Sequence, residues 1–295
     1  MRLRGLLFLN SRKVFANAGP ERRLAINQWP IPIRRAQCTF SKTRSSNRQL
    51  AGDPEKRVEM QISIIVPVFN EAPLIRPFLQ HLRERAPEAE VIVADGGSSD
   101  GTNRLAAEFC DQLVESERGR AVQMNAGARA ARGEILWFVH VDAKLPLQCL
   151  DEIGRIMDDP NVVGGYFRIR LPRSLVYRLT DSFAHYAGIL LRMRCGDHGI
   201  FCRRTAFLDI GGFPEAPLME DVEFFRRLHR SGRVKHSERR ILVSPRRYEA
   251  VGRTRLTLAY GVIATLYLFG VPLSALERIY RRMCCNECEV IAPNA

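Results

Sequence analysis

The chain has 295 residues, of which 46% are hydrophobic and 26% are charged, and it carries a formal net charge of +13. This composition excludes a disordered or fibrous protein and suffices for one α/β core with a small appendage. Residues 1–59 hold 13 Lys and Arg against four acidic residues, so most of the excess charge lies outside the predicted fold, and no nucleic-acid partner is expected.

The N-terminal extension, residues 1–59, has three interpretations. Its first 50 residues contain Arg and Ser with Glu21 as the one acidic residue, which is typical of an organelle transit peptide. Met60 stands directly before the first predicted strand, so a second interpretation is that translation begins there and the extension is a mis-assigned start. The third is a basic disordered arm. Unless it is imported into an organelle, we expect a cytoplasmic or peripheral membrane protein, whose eight scattered cysteines are typical of a reducing compartment.

Strands and helices alternate along the first half of the predicted fold. The β-branched run at 62–68 is typical of a buried parallel strand. The elements after it are a helix at 73–85, a strand at 90–95, a helix at 101–110, a strand at 113–115, a helix at 119–131 and a strand at 134–140. This alternation predicts an α/β fold with a doubly wound, mostly parallel sheet.

The second half begins with an extended segment at 162–171, in which Gly164 and Gly165 indicate a bulge or a close approach of another backbone. The elements after it are a helix at 174–193, a strand at 199–202, a helix at 220–231 and a strand at 234–243.

The C-terminal part contains an uncharged stretch at 256–276, which is long enough to cross a bilayer. Gly270-Val271-Pro272 interrupts the stretch, and Ser274 with Glu277 has the pattern of a capping box that opens a new helix. We therefore expect a helix to about Phe269, a turn and an amphipathic helix at 274–282, and not a membrane span. Three arginines near its end would allow peripheral membrane association through 256–282.

Polar or acidic residues follow three of the predicted strands: Asn70-Glu71, Asp95 to Thr102, and His140-Val-Asp142. In an open parallel sheet, ligands bind beyond the carboxyl ends of the strands. Each segment alone is explained by a turn, by a helix cap or by a histidine whose hydrogen bonds are made within the fold. Their coincidence predicts a ligand site at this edge of the sheet.

Four segments resemble the family 2 glycosyltransferases of the GT-A fold: SIIVPVFNE at 63–71, DGGSSDGT at 95–102, GRAVQMNAG at 119–127 and Glu220-Asp221. The resemblance covers about residues 61–282 and implies a Rossmann-like nucleotide-binding sheet, helices on both faces and C-terminal helices. Three further segments resemble a stand-alone subgroup associated with arsenosugar biosynthesis: FVHVDA at 138–143, GDHGIF at 196–201 and GGFP at 211–214.

The resemblance also implies a division of the chain. The domain would cover 60–283, outside which the extension and a tail at 284–295 would lie. Its parts would be a nucleotide-sugar half at 60–160, an acceptor half at 161–250 and the C-terminal helices at 251–283.

The activity that the resemblance implies is transfer of a sugar from a nucleoside-diphosphate sugar to an acceptor hydroxyl, inverting and metal-assisted. It places the nucleoside against Pro67, Glu71 and Asp95, and a close backbone approach at Gly97. Arg120, which opens a predicted helix, would meet the diphosphate with its guanidinium and the helix N-terminus. The alternative for Arg120 is an exposed basic turn.

His140-Val-Asp142 takes the place of the Asp-x-Asp motif of the family. Asp142 is expected to bind Mg²⁺ or Mn²⁺, which would bridge the diphosphate and neutralise charge as the leaving group departs. Because Mg²⁺ prefers oxygen ligands, His140 either favours Mn²⁺ or lies outside the coordination shell as an acceptor contact.

Asp221 is the candidate base that removes the acceptor's proton on the face opposite the leaving group. The alternative is that Glu220 and Asp221 only cap a helix. Glu220, Asp197 and His198 are further candidates for acceptor or phosphate contacts.

Arg246-Arg247-Tyr248 resembles a degenerate Gln-x-x-Arg-Trp element of processive relatives. Arg247 would contact phosphate from the acceptor side, or lie in a solvated basic turn. The missing Gln and Trp argue against processive polymer synthesis.

Other activities stay open at this point. Nucleotidyltransferases share such a sheet, but residues 67–71 lack the Gly-rich phosphate loop that usually follows the first strand. A non-catalytic anion-binding protein would explain the net charge but not the acidic strand ends. The acceptor is either a small hydrophilic molecule or a lipid of the polyprenyl-phosphate or carotenoid type.

Overall fold

The computed structural model describes residues 35–37, 60–170, 188 and 192–284. All of them belong to one compact unit, Arg34–Ala295. Most of the extension, the predicted helix at 174–193 apart from its last residues, and the end of the tail lie outside the described residues.

In the described part of the chain, eight strands form one sheet in the order β1-β4-β3-β2-β5-β7-β6-β8. The strands are β1 (Arg35–Gln37), β2 (Ile62–Val68), β3 (Glu90–Asp95), β4 (Gln112–Glu115), β5 (Ile135–Phe138), β6 (Val162–Arg170), β7 (Phe201–Arg203) and β8 (Arg233–Leu242). The described helices, numbered here in chain order, are α1 (Ala72–Arg85), α2 (Thr102–Ala107), α3 (Arg120–Ala130), α4 (Cys149–Met157), α5 (Arg204–Asp209), α6 (Glu220–Ser231), α7 (Arg246–Val251), α8 (Arg253–Leu268) and α9 (Leu273–Cys284).

The parallel part of the sheet is centred on β2, all seven residues of which are buried. β2 pairs in parallel with β3 on one side and β5 on the other, and β3 pairs in parallel with β4. The carboxyl ends of these strands therefore lie at one edge, as predicted. β7 runs antiparallel between β5 and β6, while β6 and β8 are parallel.

Helices cover both faces of the sheet. On one face, the apolar side of α1 packs into the same core cluster as Ile64 and Val66 of β2. On the other face, α3 approaches β2 so closely that a Cβ on Gly127 would lie 2.6 Å from Cγ2 of Ile65. The predicted doubly wound α/β arrangement is confirmed.

The glycine pair in β6 marks a close backbone approach, as predicted. A Cβ on Gly164 would lie 2.6 Å from the Phe201 carbonyl oxygen of β7, and the β6–β8 register shifts between Val162 and Gly164. The strand predicted at 199–202 is displaced, because residues 196–198 form a 3₁₀ turn and β7 begins at Phe201.

Three short helices are absent from the sequence prediction: α4, α5 and α7. The sequence of α4 carried a usable signal, because its buried Cys149, Ile153 and Ile156 recur at helical spacing. α5 and α7 have six residues each, too few for a periodic pattern.

The C-terminal part forms two helices, α8 and α9, as predicted. α9 begins at Leu273, one residue before the predicted capping residue Ser274, and it extends to Cys284. Ser274 therefore lies inside the first turn of α9, so the prediction that it caps this helix is wrong. Within the described ranges, no helix has both the length and the apolar content that crossing a bilayer requires.

Candidate functional site

The loops that follow β2 and β3 are tied together by hydrogen bonds. The Asn70 backbone N–H donates to Ser98 Oγ over 2.8 Å, and the Ser99 N–H donates to Asn70 Oδ1 over 2.9 Å. Asp100 accepts hydrogen bonds from the N–H groups of Ala72 and Thr102. Asp100 thus supports the starts of α1 and α2. This is the role in turns and helix caps that the sequence analysis gave as the other explanation of residues 95–102.

Asp95 is buried at the end of β3, where its carboxylate accepts a hydrogen bond from the Ser98 N–H over 3.0 Å. The next loop contains Gly97, which has φ +85° and would have no atom within 4 Å of an added Cβ. A left-handed conformation favours glycine. The backbone at Gly97 is therefore open to a ligand. Pro67 is buried in β2, on the same face of the strand as Ile65.

Gln123 of α3 fixes the carboxyl ends of β2 and β3 in relation to each other. Its side-chain amide donates to the Val68 carbonyl over 2.6 Å and to the Ala94 carbonyl over 3.0 Å. Sequence reasoning missed this residue. A buried amide side chain in an Ala-rich helix is the signal that would have identified it.

Glu71 is buried directly after β2 and forms an ion pair with Arg246 of α7. The two terminal nitrogens of the Arg246 guanidinium lie 3.2–3.4 Å from the carboxylate oxygens. The Glu71 backbone N–H donates to Thr102 Oγ1 over 2.8 Å. The sequence analysis did not assign this contact between Arg246 and Glu71.

Arg120 is the first residue of α3, and its guanidinium contacts Glu220, the first residue of α6, at 3.2 Å. The carboxylate is buried and the guanidinium is partly exposed. The prediction that Arg120 opens a helix is confirmed. Its side chain joins α3 to α6 and is only partly exposed, so the alternative of an exposed basic turn is wrong.

Asp221 is the second residue of α6 and is buried. One carboxylate oxygen accepts a hydrogen bond from the Gly196 N–H over 2.5 Å, and the other accepts one from the Val222 N–H over 2.7 Å. Burial, together with the charge of Glu220, raises the pKa of Asp221 to about 7, although Arg120 opposes the shift. Asp221 can therefore take up or release a proton near neutral pH.

His140 follows β5 and packs with Nε2 against Gly196, where a Cβ would collide with the ring. Burial, followed by the charge of Arg120, lowers the pKa of His140 to about 4, so the imidazole is neutral at pH 7. Two residues later, burial and the charge of Asp197 raise the pKa of Asp142 to about 6.

Asp197 lies in the 3₁₀ turn formed by residues 196–198. Its charge acts on the pKa values of Asp142, His140 and Arg120. His198, the next residue, is buried edge-on against Tyr166, with Nδ1 3.2 Å from the Cys195 carbonyl oxygen. Asp197 is exposed and His198 is buried, and the acceptor contact of each stays a prediction.

Arg247 lies in α7 and is half-buried, so the alternative of a solvated basic turn is wrong. Its guanidinium donates to the Tyr260 hydroxyl over 3.4 Å. Although burial works against the charge, Tyr260, Tyr280 and Asp197 raise the pKa of Arg247. Arg247 thus stays cationic beside Asp197.

The segment 211–214 is anchored between α3 and α6. Asn125 of α3 donates to the Phe213 carbonyl over 2.8 Å and accepts from the Phe213 N–H over 2.9 Å. The Phe213 ring stacks on Phe224 of α6, with 3.9 Å between the centroids. These contacts fix the approach to Glu220 and Asp221.

A divalent cation would find one or two protein ligands here. Among the described residues, no three His, Cys, Asp or Glu side chains are grouped as a complete metal site. Asp142 instead has neighbouring carboxylates, Asp197 and Glu71, that raise its pKa. This fits the way Mg²⁺ and Mn²⁺ bind beside substrates, through one or two carboxylates with phosphate oxygens and water as the remaining ligands.

The folded chain thus brings most of the predicted residues to one edge of the sheet. Asp142, His140, Asp197, Asp221 and Arg120 are connected by contacts or by direct effects on one another's pKa values. Glu220 and Arg247 complete this group through Arg120 and Asp197. Asp95 at the end of β3 and Gly97 in the loop after it lie at the same edge, where Glu71 acts on both the loop and Asp142.

Residues 63–209 match the model of the family described as glycosyl transferase family 2. The chain is 30% identical over 169 residues to glycosyltransferase AglE of Haloferax volcanii, covering 52% of this chain and 56% of that protein. It is 25% identical over 212 residues to poly-β-1,6-N-acetyl-D-glucosamine synthase of Staphylococcus epidermidis, covering 64% and 51%. The chain spans about half the length of these curated relatives.

Among solved structures, the chain resembles the mannosyltransferase PcManGT from Pyrobaculum calidifontis, which was determined in complex with GDP-Man and Mn²⁺. The TM-score is 0.53 at 22% identity, over 83% of this chain and 74% of that chain. This likeness confirms the predicted GT-A fold.

Proposed function

Since the chain carries a family 2 glycosyltransferase domain with the GT-A fold, we propose that it transfers a sugar from a nucleoside-diphosphate sugar to an acceptor hydroxyl. The observation that carries the proposal is one cluster of Asp142, Asp197, Asp221 and Arg120 at the carboxyl edge of the sheet. It combines carboxylates for a cation and a proton with a guanidinium for a diphosphate.

The donor nucleoside binds in the tied loops after β2 and β3. Asp95 accepts hydrogen bonds from the base or ribose, and the open backbone at Gly97 allows a close approach. Glu71 shapes this pocket through its pair with Arg246, and buried Pro67 lines it from β2. Arg120 and the N-terminus of α3 bind the diphosphate, which exchanges part of the Arg120–Glu220 contact for a phosphate contact.

Asp142 holds the Mg²⁺ or Mn²⁺ that accompanies the diphosphate. When bound, the cation neutralises charge on the departing nucleoside diphosphate. His140 is neutral and adjoins Gly196, so it serves as a nitrogen ligand that favours Mn²⁺ or as a contact to the acceptor. The Mn²⁺ in the PcManGT complex supports the choice of Mn²⁺.

Asp221 acts as the general base. A carboxylate with a pKa near the working pH is best suited to remove a proton in the transition state. The N–H groups of Gly196 and Val222 fix its orientation. With one base opposite the leaving group, transfer is a direct displacement that inverts the anomeric centre.

The acceptor binds between Asp221, Asp197 and Arg247. The subgroup resemblance associates it with arsenosugar biosynthesis, and the altered Gln-x-x-Arg-Trp element indicates single rather than processive transfer. The halves at 60–160 and 161–250 bind donor and acceptor respectively.

The family match disfavours the nucleotidyltransferase and anion-binding alternatives. A lipid acceptor at a membrane surface is the second candidate, favoured by exposed apolar residues on α8.

The test is hydrolysis of a panel of nucleotide sugars with Mn²⁺, Mg²⁺ or EDTA. We expect metal-dependent release of a nucleoside diphosphate, reduced by Asp142→Ala at least about 100-fold, because the cation contributes several kcal/mol. Asp151→Ala, which removes an exposed carboxylate of α4, is the matched control. No turnover with any donor, combined with no metal-dependent binding of any nucleoside diphosphate, would contradict the proposal.

A further inference from the structure

Helix α8 buries one face and exposes a second apolar face opposite to it. Its buried residues, Leu256, Ala259, Ile263 and Tyr267, pack into the C-terminal core cluster. The opposite side carries a set of exposed residues at helical spacing, which we call the α8 stripe: Leu258, Gly261, Val262, Thr265, Leu268 and Phe269. Leu258 is 66% exposed and Phe269, just beyond the helix, is 82% exposed.

The stripe lacks the charges that a solvent-facing helix surface normally carries. No charged residue occurs between positions 256 and 276. From Leu256 onward α8 has no charged residue on any side, and a helix without a charged face is normally covered by a protein core or by lipid. With 16 residues, α8 is about 24 Å long and too short to cross a hydrocarbon core of about 30 Å. It can therefore lie in a bilayer surface but cannot span it.

Arginines flank one end of the stripe. The Arg255 guanidinium donates to the Met283 carbonyl over 2.6 Å, so the start of α8 lies beside the end of α9. Exposed arginines are concentrated near this end: Arg253, Arg255, Arg278, Arg281 and Arg282. Long basic side chains beside an apolar surface reach outward to anionic headgroups while their stems cover apolar groups.

We propose that the α8 stripe docks onto an anionic lipid bilayer surface, with the stripe at the boundary of headgroups and acyl chains and the arginines among the headgroups. A second copy of the chain fits the stripe poorly. A stable interface needs about 800 Å² on each partner, which is more than one helix face supplies.

Docking in this way would hold Arg247 roughly one helix diameter, ~10 Å, from the stripe, because Tyr260 lies on the opposite side of α8. Tyr260 of α8 contacts Arg247, which stays charged beside Asp197. The relevance of this distance to the acceptor rests on the proposed function, in which Arg247 and Asp197 meet the acceptor.

The experiment is flotation of the full chain with phosphatidylcholine vesicles, with or without phosphatidylglycerol. The variant Leu258→Glu/Phe269→Glu removes two stripe residues. Leu147→Glu/Leu208→Glu is the matched control, because both leucines are exposed elsewhere, at 64% and 59%, and the change in charge is the same. All three proteins keep the basic extension, so its attraction to the vesicles cancels in the comparison.

We expect the wild type to float with the anionic vesicles more strongly than with phosphatidylcholine alone. The stripe variant should lose about tenfold or more in partition coefficient relative to the control, as expected when large apolar side chains can no longer be buried. Equal flotation of the two variants, or no flotation of the wild type, would overturn the proposal. So would a wild-type dimer that the stripe variant dissociates without a change in flotation.

Hydrolysis of a soluble donor without vesicles separates this proposal from the proposed function. The stripe variant should retain wild-type hydrolysis, since the stripe lies outside the residues assigned to donor and base. A wild type that floats, but neither hydrolyses a donor nor binds a nucleoside diphosphate in the presence of metal, would contradict the function and leave the docking surface standing.

Discussion

The Asp221→Asn substitution tests the base and its environment in one protein. Asp221 is buried, and its pKa is raised from 3.8 to about 7 by burial and by Glu220. The folded protein therefore disfavours the ionised form, and an amide of the same shape removes that cost. We expect the variant to be more stable than the wild type at high pH and nearly inactive at every pH.

The size of the effect follows from the pKa. A shift of roughly three units corresponds to about 4 kcal/mol, since each unit is worth about 1.4 kcal/mol. The amide oxygen keeps one of the two N–H donors, from Gly196 or Val222, so the loss of the other lowers the gain by about 1–2 kcal/mol. The net stabilisation expected above pH 8 is about 2 kcal/mol.

The sign of the pH dependence is fixed by linkage. A carboxyl whose pKa is higher in the folded than in the unfolded chain contributes stability below pH 4, and this contribution is lost as the pH rises to about 7. The stability difference between variant and wild type should therefore grow from pH 4 to pH 7 and then level off.

Urea unfolding between pH 4 and pH 9 measures this difference, with Asp209→Asn as the control at an exposed aspartate. Transfer rates over the same range should show a wild-type acid limb near pH 7 and a loss of about 10²–10⁴-fold in the variant. A pH-independent stability difference would refute the burial argument. A variant that keeps its activity and the acid limb would refute the role of Asp221 as base.

Two further substitutions test the contacts between the halves of the site. Arg120→Met leaves buried Glu220 without this cation and should lower the free energy of unfolding by about 2–3 kcal/mol. It should also weaken nucleoside-diphosphate binding about 10–100-fold, as measured by calorimetry. Glu220→Gln, the control, should weaken binding far less. Asn125→Ala removes both hydrogen bonds to Phe213 and should lower the free energy of unfolding, measured in urea, by about 2–4 kcal/mol. An unchanged unfolding midpoint would show that aromatic stacking alone holds the 211–214 segment.

Much of the fold was predictable because its signals are local. The apolar run at 62–68 predicted the buried central strand, and the alternation of strands and helices predicted a parallel sheet. Gly164 and Gly165 predicted a close approach because residues without a Cβ fit where a side chain does not. α5 and α7 escaped prediction because six residues do not establish a helical period.

The candidate site was predictable as a place more than as a set of contacts. The topology rule for parallel sheets located Asp95, Asp142 and the segment after β2 at one edge, and the motif resemblance added Arg120 and Asp221. The burial of His198 beside exposed Asp197 could not be predicted, because adjacency in sequence does not determine which way each side chain points in a 3₁₀ turn. Gln123 was missed because its partners are backbone carbonyls, which every residue carries.

The sequence by itself determined the element types, the parallel sheet and the residue types available at its edge, because periodicity and turn chemistry act over a few residues. Only the tertiary structure decided that Arg120 meets Glu220 across 100 positions and that Arg246 meets Glu71 across 175. It also decided the protonation behaviour of His140, Asp142 and Asp221, because a pKa depends on burial and on charges from distant parts of the chain. Those properties depend on contacts between distant parts of the folded chain, and no local sequence pattern encodes them.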